Sequence, residues 1–106
     1  MDADVTIVRA YLKESDQGER HRVVDELYEL LRRQGLHGAT VFRGVMGFGP
    51  HGSAEADILH LAGNLPVAIE FFAAPDEAEL AIKALYRHKS DLNIVCWSAV
   101  MRHPEA

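Results

Sequence analysis

Cysteine is almost missing from this chain: Cys96 is the only one. A lone thiol makes no internal disulfide, and without a Cys-x-x-Cys pair the common zinc frameworks are excluded. Basic charge is also scarce. Eleven Lys and Arg stand against sixteen Asp and Glu, for a formal net charge of −5. Such a chain is repelled by phosphate backbones and anionic membranes, which argues against nucleic acid as a general partner. No apolar run approaches the ~20 residues that span a bilayer, so no direct membrane insertion is expected. Met1-Asp2-Ala3-Asp4 is acidic where a signal peptide would be basic. These absences together lead to the expectation of a soluble, cytoplasmic protein.

What is present suits one small folding unit. The 106 residues are 48% apolar and 25% charged, ordinary globular proportions, and are expected to form a single domain over 1–106. A chain of this size buries roughly 65% of its unfolded surface, which leaves a thin core and favours self-association.

Val5 to Leu12 alternates and is rich in β-branched and aromatic residues, so it is expected to be a strand. From Glu19 to Gln34 the positions Val23, Val24, Leu27, Leu30 and Leu31 recur at spacings of three and four, the stripe of a helix. Asp16 and Glu19 have the spacing of a capping box, and Gly35 is placed to end the helix. Gly38 to Met46 is expected as a second strand, followed by a loop over Pro50 to Ala56 and a short extended piece at Ile58 to Leu61. After a turn at Gly63-Asn64, Leu65 to Phe72 forms a third strand with Pro66 at its start. Pro75-Asp76-Glu77 opens a second helix, whose buried stripe is Ala81, Leu85 and either Ala78 or Ile82. Asn93 to Met101 is the fourth strand, and His103 to Ala106 a frayed tail.

The order β-α-β-β-α-β folds as an α+β, ferredoxin-like domain. Two split crossovers place both helices on one face of a four-stranded antiparallel sheet with spatial order 4-1-3-2. The uncovered face of such a sheet should read polar in a monomer. Here both alternating sets of the first, third and fourth strands are apolar, and an apolar open face points to an interface. Arg9, Arg43 and Glu70 are the charged exceptions, expected to form a ladder across that face with Glu70 between the two arginines.

The segment with most chemical promise is Gly38-Ala39-Thr40-Val41-Phe42-Arg43-Gly44-Val45-Met46-Gly47-Phe48-Gly49. Clustered glycines at a strand end allow positive φ and expose consecutive N–H groups that suit an anion. The plain alternative is a bulge and a hinge. The spacing matches neither a P-loop nor a dinucleotide fingerprint.

With Gln34-Gly35, this segment resembles the uncharacterised PII-like family known as domain of unknown function 190. Its pattern is G-A-T-V-x-R-G-x-x-G-F-G followed by a histidine, here His51; Leu65-Pro66-Val67-Ala68-Ile69-Glu70 also resembles that family. The likeness runs from Val5 to about Met101. It implies a PII-like homotrimer closed through its sheets, with adenine nucleotides bound between subunits and a loop after the second strand that signals to a partner. Gly47, Phe48 and Gly49 match the base of that loop. The expected ligand-binding set is Arg43, Gly44, Gly47, Phe48, Gly49, His51 and Arg102, with an adenine nucleotide as effector and no required cofactor. The family's occurrence beside fluoride-channel genes implies a membrane channel or transport protein as partner. One departure is plain. Where PII proteins carry a glycine-rich, lysine-containing phosphate loop, this chain has His88-Lys89-Ser90-Asp91.

Other chemistries find less support. His51, Glu55, Asp57 and His60 lack a recognised metal-ligand spacing, so no metal site is expected. His21, His37 and His88 read as surface groups, Cys96 as inert packing within its strand, and Ser53 lacks the nucleophile-elbow pattern. No acid and base are paired as catalysis needs, so an enzyme is not expected. A trimer that binds a partner without any small ligand remains the alternative to an effector-binding regulator.

Overall fold

A computed structural model describes residues 2–49, 52–55 and 65–103. His51, Asp57, His60, the extended piece at Ile58–Leu61 and the turn at Gly63-Asn64 lie outside these residues. The elements are β1 (Ala3–Lys13), α1 (Val23–Arg33), β2 (Thr40–Arg43), β3 (Met46–Gly49), β4 (Gly52–Glu55), β5 (Pro66–Ala73), α2 (Pro75–His88) and β6 (Asn93–Met101). The antiparallel sheet runs β2-β5-β1-β6, and β3 pairs with β4 in a separate two-stranded sheet. With β3 and β4 set aside, this is the expected ferredoxin-like order 4-1-3-2.

The helices cover one face. Val8 from β1 and Val67, Ile69 and Phe71 from β5 meet Val23, Val24, Leu27 and Leu31 of α1 and Ala78, Ala81 and Leu85 of α2. Burying a Val, Leu or Ile completely contributes about 1.5–3 kcal/mol each, so this layer dominates stability. Leu30 and Ile82 pack partly buried at its margin. Small Ala78, Ala81 and Ala84 on the buried side of α2 let the helix approach the sheet closely.

Helix α1 starts at Val23, four residues later than the periodicity predicts. The 16–22 segment is folded on itself instead: Gln17 bridges Arg22, Gly18 N–H donates to His21 O at 2.7 Å, and Val23 N–H donates to Asp16 O at 2.8 Å. The expected capping box is absent. Asp16 Oδ2 accepts the Lys13 N–H instead, and N-cap Arg22 offers no side-chain cap. At the other end Gly35 does terminate the helix, with φ of +77°, where a side chain would be strained.

The second expected strand is cut short. Gly44 N–H donates to Pro66 O at 2.8 Å, just beyond the last β2–β5 pair, Arg43 with Val67. Pro66 has no N–H to continue the ladder, so pairing with β5 stops there. The chain restarts as β3, and Gly52–Glu55, expected as loop, is the strand that pairs with it.

Candidate functional site

Two regions hold the residues expected to bind a ligand or partner: the open sheet face, and the cleft between α1 and β2 with the adjoining root of β3. On the open face Arg9 lies opposite Glu70 in register. Arg9 Nε donates to Glu70 Oε1 at 2.9 Å, Nη2 donates to the same oxygen, and Nη1 reaches Tyr11 Oη at 3.5 Å. The guanidinium also sits 5.5 Å from the centre of the Trp97 ring. The bond to Tyr11, and then that to Glu70, raise the Arg9 pKa above its ordinary value. Around this pair stand exposed Tyr11, Phe42, Phe72, Val95, Trp97 and Met101, so the Arg9–Glu70 ion pair lies in an apolar field.

Arg43 is not part of that pair, which corrects the expected ladder. Strand β2 sets Thr40, not Arg43, opposite Glu70. Alternation then sends Val41 and Arg43 to the helix side. There Arg43 Nη2 donates to Glu14 Oε2 at 2.9 Å. Arg22 Nη1 approaches the other oxygen, Oε1, at 3.5 Å, and Arg22 Nε donates to Asp25 Oδ2 at 3.1 Å. A cleft of about 280 Å³ opens here between the first half of α1 and the edge strand β2. Glu14, Arg22, Asp25 and Arg43 form its polar wall and Val24, Tyr28, Val41 and Val67 its apolar one.

Beside this cleft lies the root of β3. Gly44 and Gly47 both face the Pro66 ring: a Cβ on Gly44 would come 2.8 Å from Pro66 Cγ, and one on Gly47 3.1 Å. Close approach, not positive φ, is therefore what requires these glycines; among the described residues only Gly35 has positive φ. Phe48 is 91% exposed, its ring standing clear of the core. Gly49 ends β3.

Gly44 and Gly47 thus meet at the Pro66 ring, Arg43 precedes Gly44 with its side chain turned to Glu14, and Arg102 lies apart. Arg102 follows β6, whose end pairs with Ala3, while Arg43 lies level with Leu12 through Val67. At ~3.3 Å per strand residue the two cations are separated by about 30 Å along the sheet within one chain. Arg102 instead approaches Asp2, at 3.4 Å.

In the stretch after α2, Lys89 and His88 are both engaged internally. Lys89 Nζ is 2.9 Å from Asp91 Oδ1 and lowers the Asp91 pKa. His88 Nε2 contacts Glu26 Oε1 at 2.9 Å, so His88 is a structural tie and not merely a surface group. Cys96 is exposed, against the expectation of packing, because the helices lie over β1 and β5 and leave edge strand β6 largely uncovered. Among the described residues no three His, Cys, Asp or Glu side chains converge on a metal position, and no helix is long and apolar enough to cross a membrane.

The roles of Glu14 and Arg22 were invisible to motif reading. Both lie outside the glycine-rich segment, and only the return of β2 alongside α1 makes them neighbours of Arg43.

Residues 5–101 match the family DUF190, described as an uncharacterized ACR. The UPF0166 protein MJ1524 of Methanocaldococcus jannaschii is 38% identical over 80 residues, which cover 76% of this chain and 74% of that protein. Among solved structures, CPII from Thiomonas intermedia K12, a nitrogen regulatory PII-like protein bound to ADP, AMP and bicarbonate, superposes with a TM-score of 0.71 at 12% identity, covering 99% of this chain and all of the other. CPII bound to ADP and bicarbonate gives 0.65 at 14% identity, over 95% and 89% of the two chains. A putative PII-like signaling protein of Thermus thermophilus, TTHA0516, gives 0.62 at 14% identity, over 94% and 89%. At such identities the likeness is one of fold.

Proposed function

This chain belongs to the DUF190 family, and from that premise we propose that it is a PII-like regulatory protein that binds a small anionic effector between subunits. An adenine nucleotide is the favoured effector. The segment that follows β2 then signals its presence to a partner, with a membrane channel or transporter as the partner class. The observation that carries this reading is the packing of Gly44 and Gly47 on Pro66, directly after Arg43, whose guanidinium shares a cleft with that of Arg22. The ligands of CPII, ADP with AMP and bicarbonate, have the matching chemistry: phosphate or carboxylate oxygens.

A homotrimer closed through the open sheet faces would hide Tyr11, Phe42, Phe72 and Trp97 and bring copies side by side. Arg102, remote from Arg43 within one chain, would then join the site only from a neighbouring protomer. Phe48 and Gly49, at the base of the signalling segment, and His51, within it, belong to the same proposal as ligand-binding residues. The chemistry is binding rather than turnover, and the seat of regulation is the cytoplasm.

The test is calorimetry with AMP, ADP, ATP and cyclic nucleotides, alongside thermal unfolding. A ligand at ~100 times its Kd stabilises the folded state by about 2.7 kcal/mol. No heat and no protection up to millimolar concentration would remove the nucleotide reading. The second reading, a partner-binding trimer without a small ligand, is favoured by Phe48, whose 91% exposed ring suits a protein surface better than a phosphate.

A further inference from the structure

Glu14 occupies an unusual place. It lies just past β1, its side chain is only 12% exposed, and its carboxylate takes both arginines of the α1–β2 cleft: Arg43 at 2.9 Å through Oε2 and Arg22 at 3.5 Å through Oε1. Its backbone is fixed as well, because Glu14 N–H donates to Leu65 O at 2.9 Å, one residue before Pro66. A carboxylate flanked by two guanidiniums is the arrangement in which a phosphate or carboxylate group of a ligand would be held. Here the protein supplies the anion itself.

We infer that Glu14 is a built-in competitor for the anion site: it holds Arg43 in the ligand-free protein, and a soluble anion must displace it. This rests on the reading of Arg43 as an effector contact given above. Three features support it. A cleft of about 280 Å³ is just below the range of ligand pockets, so it admits an anionic headgroup and leaves the rest of the ligand outside. Asp25 already engages Arg22, whereas among the described residues Arg43 is paired with Glu14. Arg43 adjoins Gly44, whose N–H is bonded to Pro66 O at the root of β3. Exchange of Glu14 for a ligand therefore unties the segment after β1 from the end of β2, beside the root that Gly44 and Gly47 form with Pro66. A tethered carboxylate acts at a high effective concentration, so the device sets a threshold that only an abundant or multiply charged anion overcomes.

The experiment compares the parent, Glu14→Gln, Glu14→Ala, and Glu14→Gln combined with Arg43→Gln. Titrations use ADP, bicarbonate and inorganic phosphate, and hydrogen exchange is followed across residues 43–49 without ligand. Glu14→Gln is near-isosteric and keeps the backbone bond to Leu65; Glu14→Ala provides the second variant should the amide find a new partner. The expected result is anion binding about tenfold tighter in both single variants, as when a site free a tenth of the time becomes fully available. The gain should vanish in the double variant, and exchange at 43–49 should rise in the single variants. ADP binding equal to or weaker than the parent's would overturn the competitor and leave the nucleotide reading intact. Failure of ADP to bind either protein, with tighter binding of bicarbonate or phosphate by Glu14→Gln, would remove the nucleotide and keep the competitor. Unchanged exchange at 43–49, or no binding of any of the three anions by parent and variants, would overturn it.

Discussion

His88 Nε2 stands 2.9 Å from Glu26 Oε1, and through that contact the end of α2 is tied to the first turn of α1. The other oxygen, Oε2, accepts the backbone N–H groups of Arg20 and His21, both at 3.2 Å. The bond to His88, followed by those two N–H donors, lowers the Glu26 pKa from its ordinary 4.5 to about 2. A carboxyl depressed by folding stabilises the native state fully above its ordinary pKa and loses that contribution as pH falls through the folded value. Stability should therefore decline between pH 4.5 and about 2, and Glu26→Gln should remove that part of the decline. Acid titrations followed by circular dichroism check this; identical acid profiles for parent and variant would refute it.

Gly18 is the counterpart of this tie. A Cβ there would fall 1.9 Å from Glu26 Oε1, so Gly18→Ala must push the carboxylate away from its three donors. The expected outcome is a lower melting temperature in the parent background and little effect when Glu26 is already Ala. A double-mutant cycle separates this coupling from a mere backbone effect, since non-additivity appears only if the two positions interact.

The same contact explains where sequence reading of α1 goes wrong. Apolar periodicity fixes the buried face, and Val23, Val24, Leu27 and Leu31 are indeed buried. It says nothing of the Glu26 carboxylate, which turns back to accept the Arg20 and His21 N–H groups ahead of the helix. Strand β2 teaches a similar lesson. Alternation correctly puts Val41 and Arg43 on one side, but both sheet faces are apolar, so the pattern alone does not say which side is open. The pairing of Thr40 with Glu70 decides it. The glycine motif locates the root of β3 by sequence, whereas Glu14 and Arg22 join Arg43 only by tertiary contact.

Ala68 offers a direct test of the open face. It lies half-buried between Tyr11 of β1 and Phe42 of β2 in register, near the middle of the apolar field. Light scattering of the parent should give three times 11.8 kDa at micromolar concentration. Ala68→Asp should yield a folded monomer, because an unpaired charge in an interface costs about 3–5 kcal/mol, comparable with the whole strength of a weak association. A monomeric parent would remove the trimer, and with it any site between subunits.

Arg9 and Glu70 should behave as a pair in the same assembly. Glu70→Leu alone leaves a guanidinium without its carboxylate among Trp97, Tyr11 and Phe72, and should weaken the oligomer. Arg9→Leu together with Glu70→Leu removes both charges and should restore or strengthen it, since breaking a pair is costlier than replacing it whole. Sedimentation across a concentration series checks the order. Equal weakening by the single and double changes would mean that the pair is solvated and the interface lies elsewhere.

Pro66 permits a graded test of the root of β3. Its ring stands where side chains on Gly44 and Gly47 would go, but not equally: 2.8 Å from a Cβ on Gly44 and 3.1 Å from one on Gly47. The first distance forces a shift, and Gly44 is the less free to move because its N–H is bonded to Pro66 O. The second asks only that the ring give by a few tenths of an ångström. Gly44→Ala should therefore destabilise the fold by about 1–3 kcal/mol, in the range of overpacking, and Gly47→Ala by clearly less. Pro66→Ala removes the Cγ that both would strike, so it should relieve most of the Gly44→Ala penalty. Urea unfolding of the three variants and the Gly44–Pro66 double variant measures the series. If Gly47→Ala costs as much as Gly44→Ala, or if Pro66→Ala gives no relief, then close packing on the proline is not what these glycines serve.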